Sequence, residues 1–127
     1  MAKPNVLIVE DDAAMADTLA SMIHLLGYRS TVVHSPRGAI SAATKERPNL
    51  ILLDLNLPGI NGFEVCRYLK RDPQLSNTPV IFVSVEGSPE LIQEAKEAGA
   101  AAYLIKPIGL NDLEETVADA LESAGQG

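Results

Sequence analysis

The sequence predicts an α/β protein built on one doubly wound, five-stranded parallel sheet with helices on both faces. Three observations predict it. Five short apolar runs alternate with five longer stretches of helical period; serine–proline pairs and glycines mark the boundaries; and acids, a hydroxyl and an amine follow the runs.

The first run is 6–9, and Met15, Leu19, Met22, Ile23 and Leu26 then repeat at helical spacing up to Gly27. The second run, 31–33, is short and flanked by polar residues, as an edge strand tolerates. Ser35-Pro36 opens the next helix with a capping side chain and a proline at its first position, and Ala39, Ile40 and Ala43 form its apolar face. Run 50–53 precedes Asn61, which stands three residues before a Glu as in a loose capping box, and then Val65, Cys66 and Leu69. Run 80–83 leads to Ser88-Pro89, to Leu91, Ile92, Ala95 and Ala98, and to Gly99. Run 102–105 leads to Asn111, a second loose capping box, and to Leu113, Val117, Ala120 and Leu121. The expected unit is a single domain over 1–127, with a core from about 5 to 122 and a flexible tail at 123–127.

Composition narrows the function classes. The 127 residues suit one core, and 46% hydrophobic with 21% charged residues is ordinary for a globular protein. No run approaches the roughly 18 apolar residues of a membrane span, and no signal-peptide pattern opens the chain, so a cytoplasmic, membrane-free protein is expected. Cys66 is the sole cysteine, which rules out an internal disulfide, and it reads as a small hydrophobe. A net charge of −7 argues against direct nucleic-acid binding. The densest basic group, Arg67, Lys70 and Arg71, reads as a solvated helix end.

In such a sheet, ligands bind beyond the carboxyl ends of the strands. The residues found there are Glu10-Asp11-Asp12, Asp54, Ser84 and Lys106. Two carboxylates about 4 Å apart repel by roughly 4 kcal/mol at an effective dielectric near 20. Either some of these acids share protons, or a cation joins them. Lys106 supplies one positive charge, and a hard divalent ion, magnesium above others, would supply two. With the ion bound, Asp54 is placed to attack phosphorus, Lys106 to neutralise the transferring group and Ser84 to donate to its oxygens. His24 and His34 read as surface histidines away from this edge, so a phosphohistidine donor would be a partner's.

Four segments in order carry a specific resemblance: Val6-Leu-Ile-Val-Glu-Asp-Asp12, Leu50-Ile-Leu-Leu-Asp-Leu-Asn-Leu-Pro-Gly-Ile-Asn-Gly-Phe63, Pro79-Val-Ile-Phe-Val-Ser84, and Gly99-Ala-Ala-Ala-Tyr-Leu-Ile-Lys-Pro107. The chain resembles the receiver domains of two-component response regulators over nearly its whole length. That resemblance implies a flavodoxin-like (βα)5 fold with strand order 2-1-3-4-5. It implies a phosphoacceptor switch that catalyses only its own phosphorylation and dephosphorylation. By the same resemblance Asp54 is the phosphoacceptor; Glu10, Asp11, Asp54 and the Asn56 carbonyl hold Mg2+; Ser84 and Lys106 engage the phosphoryl group; and Ser84 and Tyr103 form the switch, with a cis bond before Pro107. The partners it implies are a histidine kinase or histidine phosphotransfer protein, a downstream effector or output domain, and, through the output face, a second copy of the chain.

Two residues depart from the family pattern. Val85 stands where Ala or Gly is usual and is expected to narrow the approach to the phosphoryl group or to restrict Tyr103. Ile108 replaces a common aromatic. Glu86 and Asn56 match positions that tune dephosphorylation. The rival readings are a haloacid-dehalogenase-like phosphatase, which would want a second acid where Asn56 stands; a flavodoxin-like cofactor binder, for which aromatic residues are too few; and a degenerate receiver that binds partners without phosphorylation.

Overall fold

The computed structural model describes residues 3–126. Its elements alternate without exception: β1 (Asn5–Val9), α1 (Ala13–Leu25), β2 (Arg29–Val33), α2 (Pro36–Glu46), β3 (Leu50–Asp54), α3 (Gly62–Arg71), β4 (Val80–Ser84), α4 (Pro89–Glu97), β5 (Ala102–Ile105) and α5 (Leu110–Gln126). All neighbouring strands run parallel in the order β2-β1-β3-β4-β5, the order the resemblance implied.

Strand periodicity divides the core into two layers. Leu7, Val9, Ile51, Leu53, Val80 and Phe82 face α2, α3 and α4, and Phe63 meets Phe82 edge-on at 5.2 Å between ring centroids. Val6, Ile8, Leu50, Leu52, Ile81 and Val83 face α1 and α5 through Leu19, Ile23, Leu113 and Val117. Each such fully buried aliphatic side chain contributes about 1.5–3 kcal/mol. The three central strands are buried on both faces, which is why they read as unbroken apolar runs, whereas β2 is half-exposed, as an edge strand should be. No described helix is long and apolar enough to cross a membrane.

Three helix starts follow side-chain capping chemistry, while Asp12 before α1 makes no side-chain cap. Ser35 Oγ accepts from the Gly38 N–H, Ser88 Oγ from the Leu91 N–H and Asn61 Oδ1 from the Phe63 N–H. Asn111 does not cap: α5 begins at Leu110, so Asn111 lies inside the first turn, and the Leu113 N–H bonds the Gly109 carbonyl. The C-terminal end differs as well. α5 continues through Ser123, Ala124 and Gly125 to Gln126, where a flexible tail was expected, and Gly127 lies outside the described residues. Ala124 remains half-buried there, and no proline interrupts the helix.

In the basic group on α3, Arg71 is exposed in the last turn, as a solvated helix end should be, whereas Lys70 and Arg67 make contacts within the fold. Lys70 Nζ donates to the Ser76 and Thr78 carbonyls and ties down the loop before β4, while Arg67 lies 3.6 Å from Glu94 of α4. Burial lowers the Lys70 pKa, opposed by the nearby Cys66.

Candidate functional site

The carboxyl ends of β1, β3, β4 and β5 meet at one edge. Glu10 follows β1 directly and Lys106 follows β5. Asp54 and Ser84 are themselves the last residues of β3 and β4, one position further in than the sequence suggested, because their backbones are still paired with Val83 and Ile105. The sheet therefore fixes their positions. One carboxylate oxygen each from Glu10, Asp11 and Asp54 lies within 4.8 Å of the others. Glu10 and Ser84 are each 1% exposed and Asp54 6%, whereas Asp11 faces solvent.

Hydrogen bonds hold the cluster in shape. Lys106 Nζ lies 2.8 Å from Glu10 Oε1 and 4.0 Å from Asp54 Oδ2. The other Glu10 oxygen, Oε2, accepts the Asp12 N–H at 3.2 Å. Asp54 Oδ1 accepts the Asn56 N–H at 3.1 Å. Ser84 Oγ accepts from the Glu86 N–H at 3.1 Å and faces Asn56 Nδ2 at 3.4 Å, so the hydroxyl is tied to both adjoining loops. The Lys106-Pro107 bond is cis.

Burial pushes the Glu10 carboxyl above its ordinary value. The Lys106 ammonium pulls it down, the Asp54 carboxyl pushes it up by hydrogen bond and charge, and the Asp12 N–H lowers it again; the net direction is up. Two full charges 4.8 Å apart would repel by about 3–4 kcal/mol at an effective dielectric near 20. The single Lys106 ammonium does not balance three carboxylates. The donor set, all hard oxygen and partly open to water through Asp11, suits a divalent ion of the magnesium kind.

The family follows from comparison with known proteins. The response regulator receiver domain model matches residues 6–118. The chain belongs to this receiver family. Among curated relatives of this receiver, "DNA-binding response regulator MtrA" of Mycolicibacterium paratuberculosis is 33% identical over 111 residues, covering 87% of this chain and 48% of that protein. The chain thus spans about half the length of several curated relatives it matches. "Sporulation initiation phosphotransferase F" of Bacillus subtilis is 32% identical over 117 residues and is covered over 93% of its length. Among solved structures, Vibrio cholerae chemotaxis protein CheY4 superposes with a TM-score of 0.89 at 30% identity, covering 94% of this chain and 99% of that one. The fold, the sequence and the relatives agree on a phosphoacceptor switch domain of two-component signalling.

Within this receiver, the residues singled out from the sequence lie together: Glu10, Asp11 and Asp54 in the acid cluster, Lys106 across from Glu10, and Ser84 and Asn56 on its rim. Tyr103 packs beside Phe82 at 6.4 Å between centroids, and its hydroxyl donates to the Glu86 carbonyl. Val85 is 67% exposed and so stands outside the core. Ile108 packs half-buried against the α1–α5 layer.

Both histidines are exposed, as expected of surface residues, but the placement of one needs correction. His24 is remote, with Nε2 3.1 Å from Ser30 Oγ, but His34 sits at the acidic edge: its Nδ1 lies 2.9 Å from the Glu10 carbonyl oxygen. The β1–β2 register pairs Val9 with Val33, which brings the next residues, Glu10 and His34, side by side. Knowing that the two strands end level would have exposed this contact in the sequence.

Proposed function

We propose that Asp54 is the phosphoacceptor of this receiver and that a partner phosphohistidine, on a histidine kinase or phosphotransfer protein in the cytoplasm, is its donor. The observation that carries this reading is a nearly buried carboxylate on a rigid strand end, within 4.8 Å of two further acids and 4.0 Å from an ammonium. Glu10, Asp11, Asp54 and the Asn56 carbonyl would hold Mg2+. Bound there, the ion supplies charge neutralisation for the oxygens of a transferring phosphoryl group.

The remaining steps belong to the chain's own residues. An Asp54 oxygen forms the new bond to phosphorus as the bond to the donor imidazole breaks, and the electron pair of the broken bond returns to the ring nitrogen. Lys106 moves toward the phosphoryl oxygens, and Ser84 exchanges its loop contacts for a hydrogen bond to them. The product, an acyl phosphate, is removed by water, and Asn56 and Glu86 at the rim set how readily water approaches. Moving a two-state switch from mostly off to mostly on takes about 5.5 kcal/mol of differential stabilisation, within reach of several charge-assisted hydrogen bonds. Tyr103, tied to the loop beyond Ser84, carries the change to the surface that binds an effector, an output domain or a second copy.

The test is direct. Incubation with Mg2+ and a small-molecule phosphodonor should add the mass of one phosphoryl group, and Asp54→Asn should abolish the gain. If no mass is gained, a phosphorylation-independent receiver takes the place of this reading; if the gain survives Asp54→Asn, another residue is the acceptor and the assignment of Asp54 is wrong.

A further inference from the structure

We infer that His34 is a positioning residue for the acidic turn that carries Asp11, acting through the backbone carbonyl of Glu10. In a parallel ladder the Glu10 N–H bonds the Val33 carbonyl, and it does so at 3.0 Å. The next rung would bring the Ser35 N–H to the Glu10 carbonyl. Among the described residues that rung is absent, because Ser35 has already turned to cap α2 with its side chain. The His34 ring replaces it: Nδ1 stands 2.9 Å from the carbonyl oxygen. A carbonyl only accepts, so Nδ1 must carry the hydrogen.

This bond completes a four-point hold on Glu10. Its N–H is fixed by Val33, its carbonyl by His34, Oε1 by Lys106 and Oε2 by the Asp12 N–H. The peptide whose oxygen His34 grips is the one that leads into Asp11, the exposed acid of the cluster. Asp11 faces water and has little packing of its own, so its direction is set by the backbone on which it stands. Groups that orient a metal ligand from behind commonly change affinity by tenfold or more when removed. The inference rests on the metal reading of the acid cluster given above.

Titration of the parent chain, His34→Ala and His34→Asn with MgCl2 alone, followed by calorimetry and by the amide shifts of Asp11 and Asp12, tests it. Asparagine places an N–H donor the same number of bonds from Cα as Nδ1. The expected result is an about tenfold weaker Mg2+ affinity for His34→Ala, largely restored in His34→Asn. Equal affinity of the parent and His34→Ala overturns the positioning role while leaving the metal site intact. An asparagine variant as weak as alanine overturns the donor argument. A parent chain that binds no Mg2+ overturns the metal reading and this inference together. In the neutral ring, nitrogen shifts should place the proton on Nδ1; a proton on Nε2 would exclude the bond.

Discussion

Lys106 leans on Glu10, not on Asp54: its ammonium is 2.8 Å from the one carboxylate and 4.0 Å from the other. The lysine is thereby the internal counter-ion of the most buried acid at the site, and Asp54 keeps an oxygen free of it. Lys106→Ala leaves Glu10 buried without a cation, so stability in EDTA should fall by about 1–3 kcal/mol. Mg2+ should return most of that loss. Urea denaturation with and without Mg2+ measures both effects.

Asp11 faces solvent and adds charge to an already crowded cluster. Asp11→Asn should therefore stabilise the metal-free protein by up to about 1 kcal/mol. The same substitution should abolish the rise in thermal midpoint on adding Mg2+. A variant no more stable than the parent in EDTA would show that the three acids do not strain the metal-free state.

Two glycines separate rigid from yielding contacts. A Cβ on Gly62 would stand 2.9 Å from the Leu55 Cα and 3.0 Å from the Asp54 carbonyl oxygen, all backbone that cannot move without shifting the loop after β3. Gly62→Ala should lose about 1–3 kcal/mol by overpacking. A Cβ on Gly87 would meet Ile105 Cδ1 at 2.2 Å, but that side chain is 48% exposed and can swing outward. Gly87→Ala should change stability by no more than about 0.5 kcal/mol. Chemical denaturation of the pair decides.

Burial pushes the Cys66 thiol up to about 11 from an ordinary 9.0, with Lys70 and Arg67 opposing. Because the folded value lies above the unfolded one, the thiol's contribution to stability is intact below pH 9 and is lost as pH rises through about 11. Two units correspond to roughly 2–3 kcal/mol. The stability difference between the parent and Cys66→Ala should shrink by that amount over this window. Near neutral pH, alkylating reagents should modify Cys66 only as fast as the protein opens.

Much of this was legible in the sequence because each strand exit carries a polar residue that the fold must place at one edge. Asp54, Ser84 and Lys106 each follow an unbroken apolar run, and parallel strands of similar length end level. Contacts between elements were harder to see. The His34–Glu10 bond depends on the β1–β2 register, and Tyr103's bond to Glu86 depends on how the loop after β4 returns over β5. Neither leaves a periodic mark. The continuation of α5 past Ser123 was hard to read because serine and glycine suggest an end, although Ala124 is half-buried within it.

The strand order has a mechanical consequence. Asp54 closes the middle strand and Tyr103 lies on the outermost one, so only β4 stands between them. A tug at the centre of the sheet need cross just one ribbon, buried on both faces, to be felt at its margin.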